Sequence, residues 1–101
     1  MVECMNIKSQ LKSINFRCRV RVDKCPAKKS KELVSAFSAL FGSKMKVRFV
    51  KKSRSFVVDN IPVKSLSFVV GIVLALVAEN VKEIIEFDLT ETTFARNWRP
   101  A

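Results

Sequence analysis

In INFRCRVRVD, residues 14 to 23, arginine recurs at every second position: Arg17, Arg19 and Arg21. An extended chain sends alternate side chains to opposite faces. The three guanidinium groups therefore share one face, and Ile14, Phe16, Cys18, Val20 and Val22 share the other. A half-buried strand needs polar residues on its wet face, but three like charges in a row repel one another. A guanidinium is a planar fork of donors that matches phosphate or carboxylate, so a row of them suits a polyanion. Further along, Lys46 and Arg48 alternate with apolar residues in the same way, and KKSR follows with Lys51, Lys52 and Arg54. Strand pairing could gather all eight on one side, each neutralising one phosphate. Lys28, Lys29 and Lys31 could extend the patch, and Arg96 and Arg99 in the last residues add a weaker contribution.

Other chemistries lack their parts. The 101 residues include no His and no Tyr, so general acid–base or nucleophilic catalysis has few candidate groups. The two glycines, Gly42 and Gly71, are too far apart for a phosphate-cradling loop. Cys4, Cys18 and Cys25 form no CxxC pair and make an odd count, which argues against a zinc site and against a secreted disulfide framework. Cys18, on the apolar face of its strand, reads as a small hydrophobe. Glu79, Glu83, Glu86, Asp88 and Glu91 read as a solvated acidic strip. No enzyme, cofactor, metal or small-molecule substrate is expected.

Overall charge agrees with a polyanionic partner. Lys plus Arg number 19 against 9 Asp plus Glu, a formal net charge of +10, and nucleic acid is the commonest partner of such a chain. The excess is uneven: residues 1–64 hold 16 basic against 4 acidic residues, and residues 65–101 hold 3 against 5. The apolar run LSFVVGIVLALVA has 13 residues, short of the roughly 20 a bilayer-crossing helix needs. It reads as a buried helix that should be largely covered, with no membrane partner. The opening MVECMNIKSQ lacks the apolar core of a signal peptide.

The elements that would carry these residues follow from periodicity. Residues 1–13 read as a basic flexible arm, residues 14–94 as a single domain and residues 95–101 as a basic tail. A strand spans residues 14–22. From Ala27 to Phe41, Leu33, Val34, Phe37, Leu40 and Phe41 recur at helical spacing, closed by Gly42 as a C-cap. Met45, Val47 and Phe49 restore a period of two, KKSR turns the chain, and residues 56–58 make the partner strand of a hairpin, broken at Asn60, Ile61 and Pro62. A second helix is expected from Val63 to Asn80, then a strand in which Ile85, Phe87 and Leu89 alternate with Glu86, Asp88 and Thr90. The order βαββαβ predicts an α+β domain, two helices on one face of a four-stranded, mainly antiparallel sheet.

Structured RNA fits better than single strands. A base-stacking sheet carries K/R-G-F/Y-G/A-F-V-x-F/Y, whereas KSRSFVVD keeps Lys52, Phe56 and Val57 but has Arg54 at the first aromatic position and Asp59 at the last. Trp98 reads as sealing a core edge more readily than as stacking on a base.

Residues 54–87, RSFVVDNIPVKSLSFVVGIVLALVAENVKEIIEF, run through a basic turn, an extended run, Pro followed by Lys, a long helix and a strand. With Phe16, Cys18 and ELVSAF before them, they resemble the family of the eukaryote-specific ribosomal protein number twenty-two of the large subunit, as a compact, divergent member. The resemblance covers residues 14–94. It implies a structural constituent of the cytoplasmic large ribosomal subunit that binds ribosomal RNA, with neighbouring ribosomal proteins as further partners, and it matches Lys51, Lys52, Arg54 and Lys64 to basic positions of the family. A second resemblance runs to the bacterial phosphocarrier of sugar transport, through VKSLSFVVGIVLAL, but that family works through a histidine this chain lacks. A small viral protein that binds nucleic acid or membranes is a third reading.

Overall fold

The computed structural model describes residues 14–92. The arm at residues 1–13 and the tail at residues 95–101 lie outside them. Four strands and two helices follow the expected order: β1 (Asn15–Val22), α1 (Ala27–Phe41), β2 (Lys46–Val50), β3 (Ser55–Pro62), α2 (Leu66–Asn80) and β4 (Ile84–Glu91). They form a mixed α+β fold on a single sheet of order β2-β3-β1-β4, every neighbouring pair antiparallel. Two βαβ units interlock: α1 crosses from β1 to β2 with β3 between them, and α2 crosses from β3 to β4 with β1 between them.

The apolar alternation of β1 sets the core. Cys18, Val20 and Val22 are fully or almost fully buried, beside Phe56, Val58 and Ile61 of β3. Helix α1 covers them with Leu33 and Phe37. Phe37 sits edge-on to Phe56, with ring centroids 6.1 Å apart, and is stacked with Phe41 at 5.9 Å. The helix ends as its sequence predicts, with the Gly42 N–H donating to the Ser38 carbonyl at 3.0 Å and Gly42 at φ +79°.

Strand β3 runs further than expected, through Asn60 and Ile61 to Pro62. The break is replaced by a bulge: the β1–β3 register shifts between Phe16 and Cys18, and Asn60 adopts φ +63°. A left-handed residue is tolerable because Asn is among the few side chains that visit that region at small cost. Pro62, which lacks an N–H, falls at the end of the strand, where the ladder stops.

Helix α2 departs from expectation more deeply. It begins after a single 3₁₀ turn, Val63–Ser65, and fully buries only the stripe Val69, Val73 and Val77, with Leu66, Val70, Ile72, Leu74 and Leu76 partly buried against the core. Phe68 is 60% exposed. A helix apolar all round is covered only where neighbours exist on every side, and here one sheet and one helix leave its outer face open. With the preceding turn it forms an 18-residue apolar helical span, Val63–Asn80, of mean hydropathy 1.7. The helix-side face of β4 is covered only in part: Ile84, opposite Val22, packs against the core, whereas Phe87 and Leu89 are 38% and 42% exposed, and Ile85, where the β1–β4 register shifts, is 46% exposed.

Candidate nucleic-acid interface

The basic residues divide into three groups. The first lies on the open face of the sheet, opposite the helices, and holds Arg17, Arg19, Arg21, Lys46 and Arg48. Sheet pairing brings carboxylates among them. Arg17 Nε donates to Asp59 of β3. Arg19 donates from Nε to Asp88 at 3.0 Å and from Nη2 to both Asp88 and Glu86 of β4, the latter at 2.8 Å. Arg48 lies 3.4 Å from the other oxygen of Asp59. Val57 lies opposite both Arg19 and Arg48 and is only 3% exposed, as expected where arginine stems cover an apolar neighbour.

The expected phosphate face is thus largely a cross-strand ion network. Arg17, Arg19 and Arg48 have carboxylate partners within the chain, and Glu86 and Asp88, expected as part of a solvated strip, provide two of them. Arg21, opposite Ser55 and Glu86, is exposed and forms no ion pair among the described residues. Lys46 is exposed and lines a groove of about 210 Å³ with Arg17, Asp59, Asn60 and Thr92.

The second group gathers where β1 ends, α1 begins and the β2–β3 turn closes. The turn, residues 51–54, puts Lys51 and Lys52 in solvent. Arg54 is not free: it adopts φ +51°, its guanidinium donates to the Asp23 carbonyl at 2.6 Å, and its own carbonyl accepts from the Val22 N–H at 2.9 Å. Its work is to fasten the turn to the end of β1. Beside the turn stands the N-terminus of α1, whose first turn holds no acidic residue. Its unpaired N–H groups and dipole are positive, and Lys28 and Lys31 project into solvent there.

Lys31 and Lys51 line one open groove of about 420 Å³ between α1 and β2, together with Ala27, Ser30, Val34, Ser35 and Phe49. Lys29 is partly occupied, 3.9 Å from Glu32 and 3.5 Å from the Asn80 side-chain oxygen. Lys24, which sequence reasoning passed over, is exposed in the loop between β1 and α1. Its place just before Pro26, in the loop that must meet the hairpin turn, was the available signal.

Lys64 stands apart. It is exposed in the 3₁₀ turn after β3, at the opposite end of the sheet from the hairpin turn. Arg96 and Arg99, with Trp98, lie outside the described residues. Of the aromatics, Phe37, Phe49 and Phe56 cluster on the helix side of the sheet, Phe49 and Phe56 with centroids 4.8 Å apart. The open face therefore presents no aromatic platform among the described residues.

Neither cysteine in the described residues is placed for reactivity. Burial pushes the Cys18 thiol up to about 11, so it stays protonated and packs as an apolar group. Cys25 is also raised by burial, with Lys29 opposing the shift. The described residues contain no cluster of three or more His, Cys, Asp or Glu able to hold a metal ion. Comparison with family models, curated proteins and solved structures returns no match to the chain.

Proposed function

We propose that the chain binds structured RNA through phosphates, using the hairpin end of the sheet as its contact. The observation that carries this reading is the concentration there of cations without carboxylate partners among the described residues: Lys24, Lys28, Lys31, Lys51 and Lys52 lie about the acid-free N-terminus of α1, which has no side-chain cap, and Arg21 stands at the same end on the open face of the sheet. Backbone N–H groups at a helix start donate to phosphate oxygens, and flanking lysines supply the counterion-releasing charge. Without exposed aromatics on the open face among the described residues, base stacking contributes little, so the contact follows the backbone and shape of a folded RNA. Arg17, Arg19 and Arg48 serve chiefly to zip the strands together, and Arg54 holds the turn that displays Lys51 and Lys52.

The assembly suggested by the family resemblance is the cytoplasmic large ribosomal subunit, with the chain as a structural, non-enzymatic constituent in translation. That part rests on the resemblance of residues 14–94. The test is sedimentation of a native lysate through a sucrose gradient before and after a high-salt wash. Comigration with large subunits that survives the wash supports it. Recovery at the top of the gradient rejects the ribosomal assignment, and a direct RNA titration then decides whether the hairpin end binds RNA at all.

A further inference from the structure

The two edges of the sheet carry opposite charge. Along β2 and its flanks run Lys44, Lys46, Arg48, Lys51 and Lys52, with no acidic residue among them. Along β4 and its start run Glu83, Glu86, Asp88 and Glu91 against the single Lys82. The alternation also matches. Lys46 and Arg48 share the open face, with Val47 and Phe49 on the helix side. Glu86 and Asp88 share the open face, with Phe87 and Leu89 on the helix side. The two described helices leave the apolar face of β4 partly open, with Phe87 and Leu89 38% and 42% exposed.

We infer that the β4 edge is a docking site for β2 of a second copy of this chain, so that the sheet continues from one molecule into the next. In the order β2-β3-β1-β4 the two edge strands run in opposite directions. A second copy in the same orientation therefore presents an antiparallel β2, with its helices on the same side as those of the first. The backbone groups along the β4 edge gain partners, Lys46 and Arg48 of the second copy meet Glu86 and Asp88, and Val47 and Phe49 extend the apolar face of Phe87 and Leu89. Both carboxylates keep 46% of their side-chain surface exposed despite Arg19. Helix α1, which packs over β2, arrives with the second copy beside the half-open face of β4.

Charge decides against symmetric pairing. Two β4 edges would set Glu86 and Asp88 against their own copies, and two β2 edges would do the same with Lys46 and Arg48. Like charges directly opposite one another destabilise a strand pair. The remaining contact is head-to-tail, and such contacts repeat into rings or short filaments.

The experiment is sedimentation velocity of nuclease-treated full-length protein over a range of concentrations. It compares wild type, Glu86→Lys with Asp88→Lys, Lys46→Glu with Arg48→Glu, and the equimolar mixture of the two reversals, each checked for fold by circular dichroism. Wild type should grow in mass with concentration, each reversal alone should weaken association more than about tenfold, and the mixture should regain it as reversed β4 meets reversed β2. A wild type that stays monomeric overturns the inference, as do reversals that assemble like wild type or a mixture of folded variants that stays monomeric. Hydrogen exchange on the wild type gives a second measurement, free of any variant that fails to fold. Concentration-dependent protection at residues 46–50 and 84–91 supports edge docking; protection confined to α2, or none, overturns it.

Discussion

Replacing Lys28, Lys31, Lys51 and Lys52 together by Gln removes four exposed cations of the hairpin end, none of which has an ion pair among the described residues. Each phosphate contact lowers the slope of log affinity against log salt by roughly 0.7 to 0.9, so four lost contacts flatten it by about 2.8 to 3.6. Between about 50 and about 200 mM salt the wild type should then lose about 50 to 150 times more affinity than the variant. Fluorescence anisotropy of a labelled RNA stem-loop over that range reads the slope directly. The contrasting variant replaces Arg17 and Arg19 by Gln. These arginines already have Asp59, Asp88 and Glu86 as partners, so the slope should change by less than about 1. Stability should fall by about 1 kcal/mol at most per pair, because the arginine side chains remain 48% and 36% exposed. If the arginine variant flattens the slope by about 2 while the lysine variant leaves it intact, the phosphate contact belongs to the open sheet face and the assignment to the hairpin end is wrong.

Four further outcomes follow from the core and its departures from expectation. Phe37→Ala should cost about 3 to 5 kcal/mol in chemical denaturation, since Phe37 is fully buried between Phe41 and Phe56; a loss under about 1 kcal/mol would contradict that packing. Along α2, Val73→Ala should destabilise by roughly 1 to 3 kcal/mol while Phe68→Ser changes stability by less than about 0.5 kcal/mol, because Val73 is fully buried and Phe68 is 60% exposed; equal effects would mean that α2 faces the core differently. Asn60→Val should cost about 1 to 2 kcal/mol from the left-handed backbone at the β3 bulge, where Asn60 has φ +63°; thermal melting reads it. Cys18 is an acid whose charged form burial disfavours, its thiol raised from 9.0 to about 11. Its contribution to stability should be intact below pH ~9 and fall away as pH rises toward ~11, where the unfolded chain releases the proton first. Alkylation followed by mass spectrometry should find Cys18 protected in native protein and modified on unfolding.

The elements were legible because each rests on a local pattern. Alternation in residues 14–22 and 45–49, the helical spacing of Leu33, Phe37 and Phe41, and Gly42 after them fix local geometry without reference to anything distant. The failures all concern what lies beside an element. Ile61 and Pro62 look like a break, and only the pairing of Phe16 with Ile61 and of Asn15 with Pro62 shows that β1 holds them in the sheet. The uniform apolarity of α2 implies a covered helix, yet covering needs neighbours that a four-stranded sheet with one other helix does not supply on every side. Lys24 carries no periodic signal, and its value comes from a loop that meets the turn at residues 51–54.

The arginine row shows where local reading ends. Alternation puts Arg17, Arg19 and Arg21 on one face, but their surroundings depend on strand order. Had the acidic strand β4 lain at the other side of the sheet, next to β2, Arg19 would have faced solvent and the row would have been free to meet phosphate. In the order β2-β3-β1-β4, β1 is central, with Asp59 on one neighbouring strand and Glu86 and Asp88 on the other. Residues 42 and 69 positions away in sequence thereby become the partners of Arg17 and Arg19. The charges open to another molecule are the ones strand order leaves unmatched, and those that, like Glu86 and Asp88, keep 46% of their side-chain surface exposed beside a partner. They are found at the hairpin end, where turns and a helix start bring lysines together, and along the sheet edges, where β2 carries an excess of one sign and β4 an excess of the other.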